Sequence, residues 1–344
     1  MKVGIVGANG YSGVELIRLL QQHPYVTIEK IVSHSTHGKN ILELYPHLYG
    51  VNEMILEKWN LDELSNLDFV FFATPSGVSK DIIPPLLDKG VTCIDLSGDF
   101  RLKNAGDYET WYKKTSAPAE YLQKATYGLS EVYRDKIKQA KLVANPGCFP
   151  TATLLGLLPA LKKQIIHANT IHVDAKTGVS GAGRNANLTN LFTEINENIR
   201  AYKVGEHQHI PEIEQVISDI SGEQVPITFI THLIPINRGI MCTMYADLVE
   251  QVTTEEVHQI YKDMYKDEMF IRIRPIGEWP TTKEVMGSNF CDIGVMVNRR
   301  TNKLIIISVI DNLVKGAAGQ AMQNMNIING WEEHIGLNNS PLYP

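Results

Sequence analysis

The chain has 344 residues, enough for two domains, and its 44% hydrophobic and 20% charged content is ordinary for a globular protein with large cores. A net charge of −6 with no basic block argues against a nucleic-acid partner, and no apolar stretch nears the roughly 18 residues of a membrane span. The N-terminal run MKVGIVGANG is too short and too broken for a secretion signal, and four cysteines without a C-x-x-C pair fit a reducing, cytoplasmic setting.

In chain order, residues 2–8 (KVGIVGA) read as a buried strand and 13–22 as a helix ended by His23 and Pro24. Residues 27–33, 68–73, 91–95 and 141–145 are further strands, with a helix over 77–90 stopped by Gly90. Buried strands alternating with helices predict parallel β-α-β units. After about residue 165 the pattern changes. Residues 170–178, 225–235, 239–248, 291–298 and 303–310 are longer strands, several alternating apolar with polar residues as a sheet with one covered face does. A helix over 210–222 carries Ile210, Ile213, Ile217 and Ile220 on one face and stops at Gly222, and another over 253–266 opens with a Thr253–Glu256 capping box. A last helix runs from near Asn312 to Gly330. The expected fold is α/β plus α+β. A Rossmann dinucleotide-binding domain takes residues 1–147 with 312–344, and an α+β catalytic and oligomerisation domain on a mostly antiparallel sheet takes 148–311, with Cys148 at the junction.

The first strand-to-helix turn, GIVGANGYSGVE, carries Gly7, Gly10 and Gly13. Glycines there permit a tight turn, close approach of backbone to a pyrophosphate and close helix–strand packing, and the helix N-terminus offers N–H groups to phosphates. The alternative is a glycine-rich turn that only packs. The end of the second strand distinguishes the dinucleotides, because an NAD site usually places a carboxylate there. This chain has Ser33, Ser35, Thr36 and Lys39 instead, a set that accepts a 2′-phosphate, so NADP(H) is expected.

Cys93, Cys242 and Cys291 lie within apolar strand patterns and read as core. Cys148, in ANPGCFPTAT, follows a strand and precedes a helix whose first residue is expected at Pro150. A thiol at that helix end is shifted toward thiolate, and Pro146 and Gly147 suggest a sharp exposing turn. Buried filler and nucleophile both remain open, while metal ligation lacks neighbours at ligand spacing. A nucleophilic cysteine beside a nicotinamide cofactor implies attack on an activated acyl carbon, a thioester, and hydride reduction to an aldehyde. The acid/base partner is sought among the histidines. His207 and His209, in VGEHQHIPEIEQ, precede a helix with Pro211 at its first position and are not required by its apolar pattern. His207 is favoured, with His209 close behind; no third metal ligand follows at a recognisable spacing.

Six ordered blocks carry a resemblance over essentially the full length: GANGYSG, DLSGDFRL (95–102), YGLSE (127–131), ANPGCFPTA, KTGVSGAGR (176–184) and HQHIPEI (207–213). The chain resembles the N-acetyl-γ-glutamyl-phosphate reductase family of arginine biosynthesis, within the wider group of aspartate-semialdehyde and glyceraldehyde-3-phosphate dehydrogenases. The resemblance implies Cys148 as nucleophile, the histidine pair as acid/base, and NADPH-dependent reduction of the acyl phosphate to a semialdehyde with release of phosphate. A related reductase for an aminoadipate derivative or aspartyl phosphate is the alternative. Phe149 stands where many members have tyrosine, and Ser130 where proline is common, a change expected to loosen a turn.

Candidate cofactor contacts are Gly7, Asn9, Gly10, Tyr11, Ser12, Gly13, Ser33, Ser35, Lys39, Thr74, Pro75, Ser180, Gly181 and Asn312, the last explained equally by helix capping. Candidate substrate contacts are Arg101, Asn145 and Glu212; for Arg101, an ion pair with Asp95 or Asp99 is the alternative. No metal is expected. The partners expected are a small acyl phosphate and further copies of the chain, as a dimer or tetramer.

Overall fold

A computed structural model describes residues 1–343. The chain divides into two compact units. The first is Met1–Pro146 with Ala317–Asn338, and the second is Gly147–Gly316 with the tail from Asn339. Residues 312–316 and the tail, expected with the first domain, therefore belong to the second. The carbonyl of Asp311 accepts from Gly316 N–H at 3.0 Å, and Leu342 N–H donates to the carbonyl of Met286 at 2.8 Å.

The first unit is built on six parallel strands, β1 (Lys2–Val6), β2 (Thr27–Val32), β3 (Phe69–Phe72), β4 (Thr92–Asp95), β5 (Ala125–Tyr127) and β6 (Leu142–Ala144), in the order β2-β1-β3-β4-β6-β5. Phe69 to Phe72 and Thr92 to Asp95 are buried at every position, as strands covered on both faces must be, which explains their unbroken apolar runs. The strands end in one row, Val32, Val6, Phe72, Asp95, Ala144 and Tyr127. The glycine loop, the 33–39 loop, the loop after Phe72, the DLSGD loop and the approach to Cys148 thus all leave the same edge, where ligands bind in open α/β sheets.

The helix expected over 77–90 runs Ser79–Asp88 and contains Pro84 and Pro85. Helix Gly319–Ile328 is buried from Gly319 to Ile327 although Gln320, Gln323, Asn324 and Asn326 lie on it. Their amides are satisfied: Gln320 donates to Gly128 O at 3.0 Å and Ser130 Oγ at 2.6 Å, and Asn324 to Gly128 O at 2.8 Å. Ser130 donates back to Asn324 Oδ1 at 2.8 Å. Rather than loosening a turn, Ser130 is a buried hydroxyl that ties this helix down.

The second unit holds seven strands: β7 (His172–Thr177), β8 (Arg200–Tyr202), β9 (Thr228–Leu233), β10 (Ile240–Asp247), β11 (Ile271–Ile273), β12 (Cys291–Asn298) and β13 (Lys303–Ile310), in the order β11-β12-β13-β10-β7-β9-β8. Four pairings are antiparallel, while β7–β9 and β11–β12 are parallel. β10 alternates buried and half-buried residues along its whole length, as a sheet covered on one face requires. Helix Cys148–Lys162 packs there at Gly156, where a Cβ would lie 2.4 Å from Met244 Cε and 3.3 Å from Ser308 Cβ. Tyr261 and Tyr265 donate to the carbonyls of Gly156 and Leu155 at 2.7 and 2.6 Å, seating the same helix from helix Thr254–Met264 and its end. That helix opens on the Thr253–Glu256 capping box.

Candidate active site

In the first unit the three glycines do different work. Gly7 has φ +87°, and a Cβ on it would lie 2.4 Å from the carbonyl oxygen of Ala73. A Cβ on Gly13 would lie 2.4 Å from Gly7 O. Gly10 is open, with its nearest neighbour at 3.5 Å, and forms the extended cap of helix Tyr11–Leu20. No side chain caps that helix and no acid sits in its first turn, so the N–H groups and positive dipole face outward beyond Tyr11 and Ser12. Thr74 Oγ1 is buried without a hydrogen-bond partner, beside exposed Pro75. An open glycine cradle, an uncapped helix start and an orphaned hydroxyl fit a nicotinamide dinucleotide.

The 33–39 loop needs one correction. Ser33 is buried and its hydroxyl is committed to Thr36 Oγ1 at 2.8 Å and Thr36 N–H at 3.2 Å, so it shapes the loop instead of facing a ligand. Ser35 and Lys39 are exposed, and Ser35 Oγ accepts from Asn9 Nδ2 at 3.2 Å, joining this loop to the glycine loop.

Asp99 is a hub that sequence reasoning weighed only as a partner of Arg101. Its carboxylate accepts from Gly77 N–H at 2.6 Å, Lys80 N–H at 3.1 Å, Ser79 Oγ at 3.0 Å and Tyr108 OH at 2.7 Å, fixing the loop after β3. Arg101 is buried and reaches carbonyls, with Nε on Asn145 O at 2.8 Å and Nη2 on Leu96 O at 2.9 Å. Asn145, expected to touch substrate, is buried with its amide spent on Ala317 O at 3.1 Å and on Asn324 at 3.1 Å.

In the second unit the helix begins at Cys148, two residues before Pro150. Gly147 is its extended cap, and Pro150 falls in the first turn, where a missing N–H costs nothing. The nucleophile candidate is therefore itself the first helical residue. It is half-buried, and Gly316 lies behind it, where a Cβ would come within 2.7 Å of Cys148 Cβ. The other three cysteines are buried, and burial pushes the Cys242 thiol up to about 12.

Glu212, also expected to touch substrate, is fully buried and does something else. Oε1 accepts from Gly147 N–H at 2.8 Å, and Oε2 stands 2.7 Å from His209 Nδ1. One carboxylate thus holds both the residue before the thiol and an imidazole. With Nδ1–H directed at the carboxylate, Nε2 is the nitrogen left to exchange protons. The ring lies across Gly147, where a Cβ would be 2.2 Å from His209 Cε1. His207, preferred on sequence grounds, is buried with Nδ1 accepting from His209 N–H at 3.2 Å. Burial first, and His209 next, hold its imidazole far below the ordinary range. Burial, then the charge of Cys148, hold the Tyr202 hydroxyl above its ordinary range.

Asn312 does not cap the last helix: Asp311 Oδ1 accepts from Leu313 N–H at 2.8 Å and Val314 N–H at 3.1 Å in its place. Asn312 instead accepts from Gly239 N–H at 2.8 Å and donates to Ser180 Oγ at 2.9 Å, bracing the loop of Ser180 and Gly181.

Residues 2–140 match the semialdehyde dehydrogenase NAD-binding domain, and residues 148–312 the semialdehyde dehydrogenase dimerisation domain. The N-acetyl-gamma-glutamyl-phosphate reductase of Geobacillus kaustophilus (strain HTA426) is 53% identical over the whole of both chains. That of Bacillus subtilis (strain 168) is 51% identical, again over the whole of both. The chain belongs to the N-acetyl-gamma-glutamyl-phosphate reductase family. The fold of this reductase family extends further: aspartate semialdehyde dehydrogenase II of Vibrio cholerae, in complex with ASA, superposes with a TM-score of 0.72 at 19% identity, over 96% of this chain and 98% of that one. Relative to the family blocks read from the sequence, the reductase fold adds Gly316 and Tyr202, and gives Asp99, legible beforehand only as a partner of Arg101, its hub role. Gly316 was not legible because it acts by leaving room for Cys148, and Tyr202 because it lies on a three-residue strand without a periodic signature.

Proposed function

We propose that the chain reduces N-acetyl-γ-glutamyl phosphate to N-acetylglutamate 5-semialdehyde with NADPH, releasing phosphate through a thioester on Cys148. The observation that carries this reading is the Gly147–Glu212–His209 arrangement, which puts a carboxylate-held imidazole beside a thiol at a helix N-terminus. Helix-end N–H groups favour the thiolate, and His209 Nε2 takes the thiol proton. The sulfur attacks the acyl carbon, the C–O bond to phosphate breaks, and His209 returns its proton to the leaving phosphate. NADPH, when bound, supplies the hydride that adds to the thioester carbon. The resulting oxyanion collapses, the C–S bond breaks, the aldehyde departs and the thiolate leaves, and one proton taken from solvent restores the starting thiol–His209 pair. The loop braced by Asn312 and the exposed Ser35 and Lys39 support NADP(H) as the cofactor, with Lys39 a charge partner for a 2′-phosphate.

The dimerisation-domain match and the half-buried alternate residues of β10, among them Met241 and Tyr245, support a homo-oligomer. The four free cysteines suit a reducing, cytoplasmic setting.

The test is phosphate-dependent, NADP⁺-linked oxidation of three semialdehydes: N-acetylglutamate, its aminoadipate homologue and aspartate. The first should lead its one-methylene homologue by about 10–200-fold in kcat/KM. Higher efficiency on either rival would reassign the substrate. Cys148→Ala should abolish turnover and leave NADP⁺ binding intact, and retained turnover would remove the thioester.

A further inference from the structure

The two histidines of the H-x-H pair are both buried, yet they face different groups. His209 meets Glu212. His207 Nδ1 accepts the backbone N–H of His209 at 3.2 Å. Its carbonyl accepts Ile210 N–H at 2.9 Å, so His207 closes the turn that starts helix Ile210–Ser221. The His207 ring is walled by Phe149 at 5.6 Å, Tyr202 at 5.6 Å, Phe229 at 5.7 Å and His209 at 5.0 Å between centroids. Phe149 follows Cys148 directly, so the residue next to the nucleophile forms one wall.

An imidazole whose Nδ1 accepts an N–H carries its own proton on Nε2 when neutral. In a box of three aromatic rings a second proton is strongly disfavoured. Such a group does not exchange protons at working pH. It does supply an acceptor for a helix-start N–H that would otherwise be buried unpaired, and a flat surface against the His209 ring.

We propose that His207 is a positioning residue: an uncharged post that fixes the backbone and ring of His209 so that its Nδ1 meets Glu212 and its Nε2 serves the chemistry. The proposal rests on the reading of His209 as the acid/base. A phenyl ring would fill the same box but offer no acceptor to the His209 N–H. The arrangement also leaves no Nδ1 of the pair for a metal.

Three variants of the full-length protein test it: His207→Asn, His207→Phe and His209→Asn. Asparagine keeps an acceptor oxygen near the place of Nδ1 but cannot titrate. The readouts are kcat, KM, the pH profile of kcat/KM and the melting temperature. His207→Asn should lose about tenfold in kcat and keep the acidic limb of the profile. His207→Phe, with the ring but no acceptor, should lose about 100-fold in kcat with KM little changed, and the N–H left unpaired should lower the melting temperature. His209→Asn should lose about a thousandfold and erase the limb. If His207→Asn erases the limb and matches His209→Asn, His207 is the acid/base and the proposal fails. If His207→Phe turns over like the native enzyme, there is no post to remove, and the proposal fails equally. Should His207→Phe not fold, His207→Asn alone still decides, by keeping or losing the limb. An active His209→Asn would instead overturn the acid/base reading beneath it.

Discussion

Gly147→Ala isolates the placement of His209 from every other feature of the site. Gly147 has φ −68° and ψ 157°, extended backbone that alanine adopts freely, so the substitution introduces no local strain. The added methyl, however, would lie 2.2 Å from His209 Cε1, 2.6 Å from Nδ1 and 2.8 Å from Nε2, whereas ordinary contact begins at 3.4 Å. The ring must retreat by about 1.2 Å. Such a shift works against its 2.7 Å contact with Glu212 Oε2, in surroundings it shares with the His207 ring at 5.0 Å. A displacement of about 1 Å in a reacting group costs about 100-fold in rate, and overpacking costs about 1–3 kcal/mol of stability. The expected variant is folded, binds NADP⁺ normally, and is about 100-fold slower in phosphate-dependent semialdehyde oxidation. Alkylation of Cys148 by iodoacetamide should slow with it, since the thiol loses its base. A kcat within about threefold of native would show that the ring position seen here does not set the rate, and the placement argument would be refuted.

Glu212→Gln leaves one of two donors, Gly147 N–H or His209 Nδ1–H, facing an amide nitrogen; kcat should fall about 10–100-fold while NADP⁺ affinity stays constant, and a silent substitution would deny the carboxylate its role. Lys39→Ala should raise KM for NADPH about tenfold and leave KM for NADH unchanged; equal effects on both would remove the 2′-phosphate contact. Asp95 is fully buried, and burial first, then Asp99, raise its carboxyl from 3.8 to about 6. The folded state therefore binds this proton more tightly than the unfolded chain, and the stability it contributes is full below pH 3.8 and lost as pH rises toward 6. Melting temperature against pH should lose that component in Asp95→Asn, and an unchanged profile would contradict the assignment. His23 shows the opposite sign: burial lowers its pKa from 6.5, and its ring accepts from Tyr25 N–H while donating to Asn326. Its contribution is present above pH 6.5 and lost on acidification, which His23→Gln should flatten in the same measurement.

The parallel sheet was legible because strands buried on both faces leave unbroken apolar runs, and the glycine loop because steric demand at Gly7 and Gly13 admits no other residue. The second sheet was legible from its alternation. Of the four three-residue strands, β6 was legible from its apolar run, while β5, β8 and β11 were not, being too short for any period and without such a run. Nor was the polar character of a fully buried last helix, because satisfied amides and exposed amides look alike in a sequence. At the candidate site, residue types pointed to the cysteine and the histidine pair, but not to which histidine has a carboxylate partner. That depends on Glu212, whose two oxygens reach across 65 positions to Gly147 and three positions back to His209. Ser33 and Asn145, expected to touch ligands, are engaged within the protein, Ser33 with its own loop at Thr36 and Asn145 with Ala317 and Asn324, because a polar side chain near a strand end serves the fold as readily as a ligand.

The segment Ala317–Asn338, which completes the first unit, is made after nearly all of the second. Between Pro146 and this segment lie the 170 residues from Gly147 to Gly316 that build most of the second unit. At about 5–20 residues per second, strands β1 to β6 wait on the order of ten to thirty seconds for the helix that satisfies Gly128, Ser130 and Asn145. During that interval these polar groups lack their helix partners, and supplying them demands contacts of very high sequence separation. The nucleotide-loop unit thus begins first but is completed only after most of the unit that carries the thiol has been made.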